Sequence, residues 1–167
     1  MELRPPDAPL DAFFAPVRRR HPDVDIVVLP AQGPAPGREP AGDAELDDVL
    51  GRVANTAGRL WAAALPTTDP PEPSWRFGPN EGTVVVSARS GLTTPHGLPA
   101  LLALRGGLEG EGWKVGGGRG GVRRLAGRRG DLTVQASYAE GTGAFLIEVA
   151  SEPIHVGRTR ARRLVRR

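Results

Sequence analysis

No cysteine occurs anywhere in the sequence. Disulfides, thiolate chemistry and cysteine-based zinc sites are therefore excluded, and stability must come from packing and hydrogen bonds. Aromatic residues are scarce: three tryptophans, one tyrosine and four phenylalanines. No run approaches the ~20 apolar residues that a membrane-spanning helix needs. The opening Met1-Glu2-Leu3-Arg4-Pro5-Pro6-Asp7 lacks the apolar core of about 7–15 residues of a secretory signal, so a cytoplasmic protein is the default expectation. The three histidines, His21, His96 and His155, stand far apart, and none has metal-ligand spacing.

Lysine is almost missing too. Lys114 stands alone, and the other cations are arginines. With so little titrating between about pH 8 and 12, a small arginine excess drives the isoelectric point far up. The net charge of +3 is thus a better guide than the isoelectric point near 10.4. The arginine bias, with abundant alanine, glycine and proline, points to a high-GC bacterial genome, a matter of codon usage that carries no function.

Leucine, valine, isoleucine and phenylalanine together make up 39 residues, about 23%, just above the level at which chains fail to bury a core. Glycine and proline contribute 40 residues. A folded core with long stretches outside it is expected, and the length suits one domain.

Leu10, Phe13, Phe14 and Val17 have helical spacing, and Val24–Leu29 reads as a strand. Residues 30–42, with four prolines and three glycines, predict an extended exposed linker. Leu46, Val49, Leu50, Val53, Ala57, Leu60 and Trp61 trace one apolar helical stripe, with Asp43 as the expected N-cap and acidic residues in the first turn. Pro66 ends that helix, and residues 66–73 form a second stiff linker.

Strands then dominate. Ser74–Phe77 and Thr83–Arg89 pair across Pro79–Gly82. A helix capped near Thr94 carries Leu98, Leu101, Leu102 and Leu108, weakened toward its end by Gly106, Gly107 and Gly110. Trp113–Val115 begins a strand, Gly116–Gly121 is a turn and Val122–Arg128 is another strand. Leu132–Tyr138 and Phe145–Val149 alternate apolar and polar residues around Glu140–Gly143, a hairpin pattern. The chain ends in a basic tail, 157–167. The expected fold is α+β: a mainly antiparallel sheet of four to six strands covered by two or three helices.

Gly116–Gly121 satisfies G-x-G-x-x-G, but a dinucleotide site needs a helix directly after it, and VRRLAGRRGDL has no helical stripe. No cofactor is expected. His155 near Ser151 or Glu152 is a weak catalytic pairing, because neighbours along a strand alternate faces. Asp47 and Asp48 read as dipole and solubility residues, and the tryptophans as core anchors.

Charge is the one uneven feature. Cutting after residue 72 leaves 7 basic and 12 acidic residues before the cut, 15 and 7 after it. Lys114, Arg119, Arg123, Arg124, Arg128 and Arg129 fall in one acid-free stretch. Arg158, Arg160, Arg162, Arg163, Arg166 and Arg167 fall in another. Such clusters are candidate polyanion-binding residues. With no catalytic constellation apparent, the leading expectation is a non-enzymatic protein–protein interaction or accessory role. The alternative is weak, sequence-independent binding of nucleic acid or another polyanion through the C-terminal half.

Overall fold

The computed structural model describes Pro16, Arg19, Arg20 and residues 39–66, 68–118 and 121–166. The chain divides into two compact units, Met1–Ala31 and Gln32–Arg167. In the first, the three described residues are helical. Otherwise the helix and strand expected at 10–17 and 24–29, His21 and residues 30–38 of the first linker lie outside the described residues.

In the second unit the elements run α1 (Asp43–Ala64), β1 (Pro73–Phe77), β2 (Thr83–Thr93), α2 (Gly97–Gly110), β3 (Lys114–Gly118), β4 (Val122–Arg129), β5 (Leu132–Ala139), β6 (Ala144–Ser151), β7 (Ile154–His155) and α3 (Arg158–Val165). The strands form one antiparallel sheet in the order β1-β2-β6-β5-β4-β3, with β7 also paired to β2. This is the α+β class the sequence predicts; the two-residue β7 brings the strands to seven. No helix among the described residues is long and apolar enough to cross a membrane.

Helix α1 forms where the apolar stripe predicts, and Leu46, Val49, Val53, Leu60 and Trp61 are buried. Two details differ. Gly42 is the N-cap and makes no side-chain cap bond, while Asp43 is already inside the first turn, where its charge still favours the positive helix end. Leu50 is only half-buried, because it lies at the margin of the stripe. After the helix, Trp61 Nε1 donates to Thr68 Oγ1 at 2.8 Å and Thr68 Oγ1 donates to the Leu65 carbonyl at 3.0 Å, which ties Thr68 to the helix end.

Burial alternates along β5 and β6, so one sheet face is apolar and the other polar. The three helices described in this unit pack on the apolar face. Helix α1 lies on β2 and β6, α2 on β3, β4 and β5, and α3 on β1 and β2. Helix α2 therefore carries the chain from β2 to the far edge of the sheet, and the meander β3–β6 returns it to β2. The core joins Val53, Leu60 and Trp61 to Leu104, Leu108, Val134, Phe145 and Ile147. A smaller cluster under α3 holds Leu46, Val84, Val156 and Ala161.

Where β6 gives way to β7 at Glu152-Pro153, the ladder beside β2 is interrupted. Ser151 fills the gap: its hydroxyl accepts from the Val86 N–H at 3.1 Å and donates to the Glu152 carbonyl at 2.9 Å. The polar face carries Thr133, Gln135 and Ser137 of β5, and no described helix of this unit covers it.

Candidate functional site

The structure sorts the predicted cations into two groups. Lys114, Arg123, Arg124, Arg128 and Arg129 lie on β3 and β4 at one edge of the sheet. Arg158, Arg160, Arg162, Arg163 and Arg166 belong to α3 and its C-terminal cap, on the β1–β2 side. The breadth of the sheet separates them, so they do not form one patch. Arg119 and Arg167 lie outside the described residues.

Half of the described set is paired with acids. Arg123 Nε lies 2.9 Å from Glu140, and Arg128 pairs with Glu152. Arg158 pairs with Glu81 and Arg160 with Asp43. Arg129 donates to the carbonyl and carboxylate of Glu111 at 3.0 and 3.2 Å, and its guanidinium lies 5.0 Å from the centre of the Trp113 ring. Lys114, Arg124, Arg162, Arg163 and Arg166 make no ion pair with a described residue.

The first half of the glycine string is strand. Gly116, Gly117 and Gly118 belong to β3 and pair with β4, where the sequence predicts a turn. They have to be glycine-like at one point in particular: a Cβ on Gly117 would lie 2.8 Å from the Arg124 carbonyl oxygen. Strand β4 follows, so no helix N-terminus is offered to a pyrophosphate. His96 is the exposed N-cap of α2, preceded by Thr94, whose hydroxyl accepts the His96 N–H at 3.1 Å; the helix therefore starts later than a Thr94 cap predicts. His155 sits opposite Thr83 in β7, and the Ser151 hydroxyl proton goes to the Glu152 carbonyl. No cluster of metal-ligating side chains occurs among the described residues.

Two concave features among the described residues combine apolar surface with charge: a hollow of about 210 Å³ where exposed Phe77 lies beside Glu81, Arg158 and Arg162, and a groove whose cations have no carboxylate in its lining. This groove, of about 200 Å³, runs between α2 and the β3–β4 edge. Leu98, Leu101 and Leu102 form its apolar side, Gly117 and Gly118 its rim, and Arg105 and Arg123 its charge; Arg124 also borders it, but alternates with buried Leu125 and so directs its side chain to the other sheet face. Leu102 is 61% exposed and Leu98 38%, far more than the core leucines of the same helix. Away from the groove, at the C-terminal end of α2, Glu111 joins several elements. Burial alone would raise its carboxyl pKa. Hydrogen bonds from Arg59 and the Trp113 indole, with the charges of Arg59 and Arg129, hold it below its ordinary value instead. Glu111 thereby ties α1, the end of α2, the approach to β3 and β4 together. Gly127 of β4 lets Leu108 and Trp113 lie against the sheet, at 3.3 and 3.6 Å from where a Cβ would stand.

No family model, curated protein or solved structure matches the chain. The groove's own chemistry must therefore carry the functional argument. Sequence reasoning missed it, although a signal was present. Leu101, Leu104 and Leu108 make one helical stripe, while Leu98, Leu102 and Arg105 make a second beside it. A helix lying on a sheet buries only one such stripe, so the second had to face outward.

Proposed function

We propose that this chain is a non-enzymatic protein-interaction or accessory module, and that it presents α2 and edge strand β3 to another protein. The observation behind this is the bare Leu98–Leu102 stripe beside a strand edge that no described strand pairs with. Exposed apolar surface rimmed by polar groups is a feature of binding sites. To test it, a photo-crosslinking residue is placed at position 102 and, as a control, at position 76 on β1 in cells that natively make the chain. The proposal expects a discrete protein adduct from position 102 and none from position 76. Equal labelling at the two positions, or none at 102, would contradict it.

A second reading is weak, sequence-independent binding of nucleic acid or another polyanion. It is supported by Arg162, Arg163 and Arg166, exposed on α3 or its cap without an acidic partner among the described residues. Phosphate contacts release counterions, so duplex binding would fall linearly in log salt with a slope near −0.9 per contact. Alanine at these three positions should abolish it; binding unchanged in that variant would remove α3 from this reading.

A further inference from the structure

We propose that the groove's occupant is an extended peptide segment of alternating acidic and apolar residues, added to the sheet as a further strand along β3. This rests on the interaction reading above and specifies the chemistry of the partner's contacting segment.

Among the described residues, strand β3 ends the sheet and pairs only with β4. Its outward backbone donors and acceptors therefore have no described sheet partner, which is the template that strand addition uses. Proteins usually blunt such edges with proline, charge or a covering element. The opposite edge is treated that way: β1 begins at Pro73, follows Pro70 and Pro71, and has α3 packed on it. Strand β3 has no proline, and Gly116 and Gly118 have open space where a side chain would be.

An added strand would lie about 4.8 Å beyond β3, with alternate side chains on opposite faces. One set of those side chains would point under α2, toward Leu98 and Leu102. Of the three glycines Gly117 faces that side, opposite buried Leu125, and it cannot be filled without striking the Arg124 carbonyl; Gly116 and Gly118 leave the other face of the strand open.

Charge selects the remaining positions. Arg105 and Arg123 supply charge on the α2 side and no acidic residue lines the groove; on the opposite face, where the acidic set of an added strand would lie, the pleat places Arg124 and Lys114. Arg105 and Arg123 are each half-exposed and partnered by one surface carboxylate, and exposed pairs of that kind are weak enough to exchange. A second copy of this chain fits poorly as occupant, because its β3 is Lys-Val-Gly-Gly-Gly and brings neither a carboxylate to these cations nor an apolar run to the leucines. An acidic strand has the opposite sign.

The test uses the full chain with a labelled decamer of alternating valine and glutamate. Controls are its valine–lysine counterpart and a version N-methylated on one edge, which removes the donors strand pairing needs. The valine–glutamate peptide should bind and slow amide exchange at Val115–Gly118. Leu102→Asp and Arg124→Glu should each weaken it at least about tenfold, and the N-methylated and lysine versions should not bind. Both substituted positions are exposed, so the variants are expected to fold. No binding by about 1 mM, equal binding of the N-methylated or lysine peptide, or protection of β3 through self-association alone would overturn the proposal. Crosslinking to a protein at position 102 without peptide binding would refute strand addition while the broader interaction reading stands.

Discussion

Gly97→Ala and Gly106→Ala are the same chemical change in one helix, and the structure gives them opposite signs. Gly97 opens α2 with its backbone against the Tyr138 ring. A Cβ there would lie 2.1, 2.3 and 2.7 Å from Tyr138 Cδ2, Cε2 and Cγ. Tyr138 is itself buried and faces Phe145 across the β5–β6 ladder, so the ring cannot move without disturbing the core. Overpacking of this kind costs roughly 1–3 kcal/mol. Gly106 is exposed, with nothing within 4 Å of its Cβ position. Alanine there should stabilise by about 0.4–1 kcal/mol, through better helix propensity and a less free unfolded chain. Urea melts followed by circular dichroism would measure both, and each kcal/mol should move Tm by roughly 2–4 °C at this chain length. A double-mutant cycle identifies the cause: with Tyr138→Leu as background, Gly97→Ala should lose most of its cost. Gly97→Ala as stable as the parent would refute the packing of α2 on β5.

Other outcomes follow from the same packing. Val53→Ala, at a position with no exposure, should cost roughly 2 kcal/mol and clearly more per carbon removed than Leu50→Ala at its half-buried site; chemical denaturation ranks the two. Ser151→Ala should cost about 1–3 kcal/mol, because it leaves the buried Val86 N–H without an acceptor, and faster exchange of that amide would identify the cause. Glu111→Gln tests the junction beneath α2. A carboxyl held below its ordinary value of 4.5 in the fold adds stability that is fully present above the unfolded value and is lost as pH falls through the folded one. The stability gap between parent and variant should therefore be widest near neutrality and close below about pH 4.5; a gap as wide at pH 3 as at pH 7 would refute the assignment.

Much of the fold could be read from local pattern. The α1 stripe, the β5–β6 alternation and the turn residues at Pro79–Gly82 and Glu140–Gly143 each act over a few residues, and periodicity reports them directly. Gly116–Gly118 misled because glycine favours turns in isolation, while here β4 supplies a ladder and the close approach to the Arg124 carbonyl requires a missing side chain. Leu50 misled because a stripe shows direction but not where the neighbouring element stops. The site was least legible. Arg123 and Arg128 look like a free basic run in sequence, but Glu140 and Glu152 reach them only after the meander folds. The groove likewise exists only because α2 crosses to the far edge of the sheet, a consequence of topology.

The most direct test of the account is a residue-resolved map of what the chain touches. Isotope-labelled protein would be followed by NMR in extract from its own host, with and without nuclease treatment. The account predicts shifts or broadening at Leu98–Arg105 and Lys114–Gly118, unchanged by nuclease and absent in Leu102→Asp. Perturbation centred on Arg158–Arg166 and abolished by nuclease would contradict it in favour of polyanion binding.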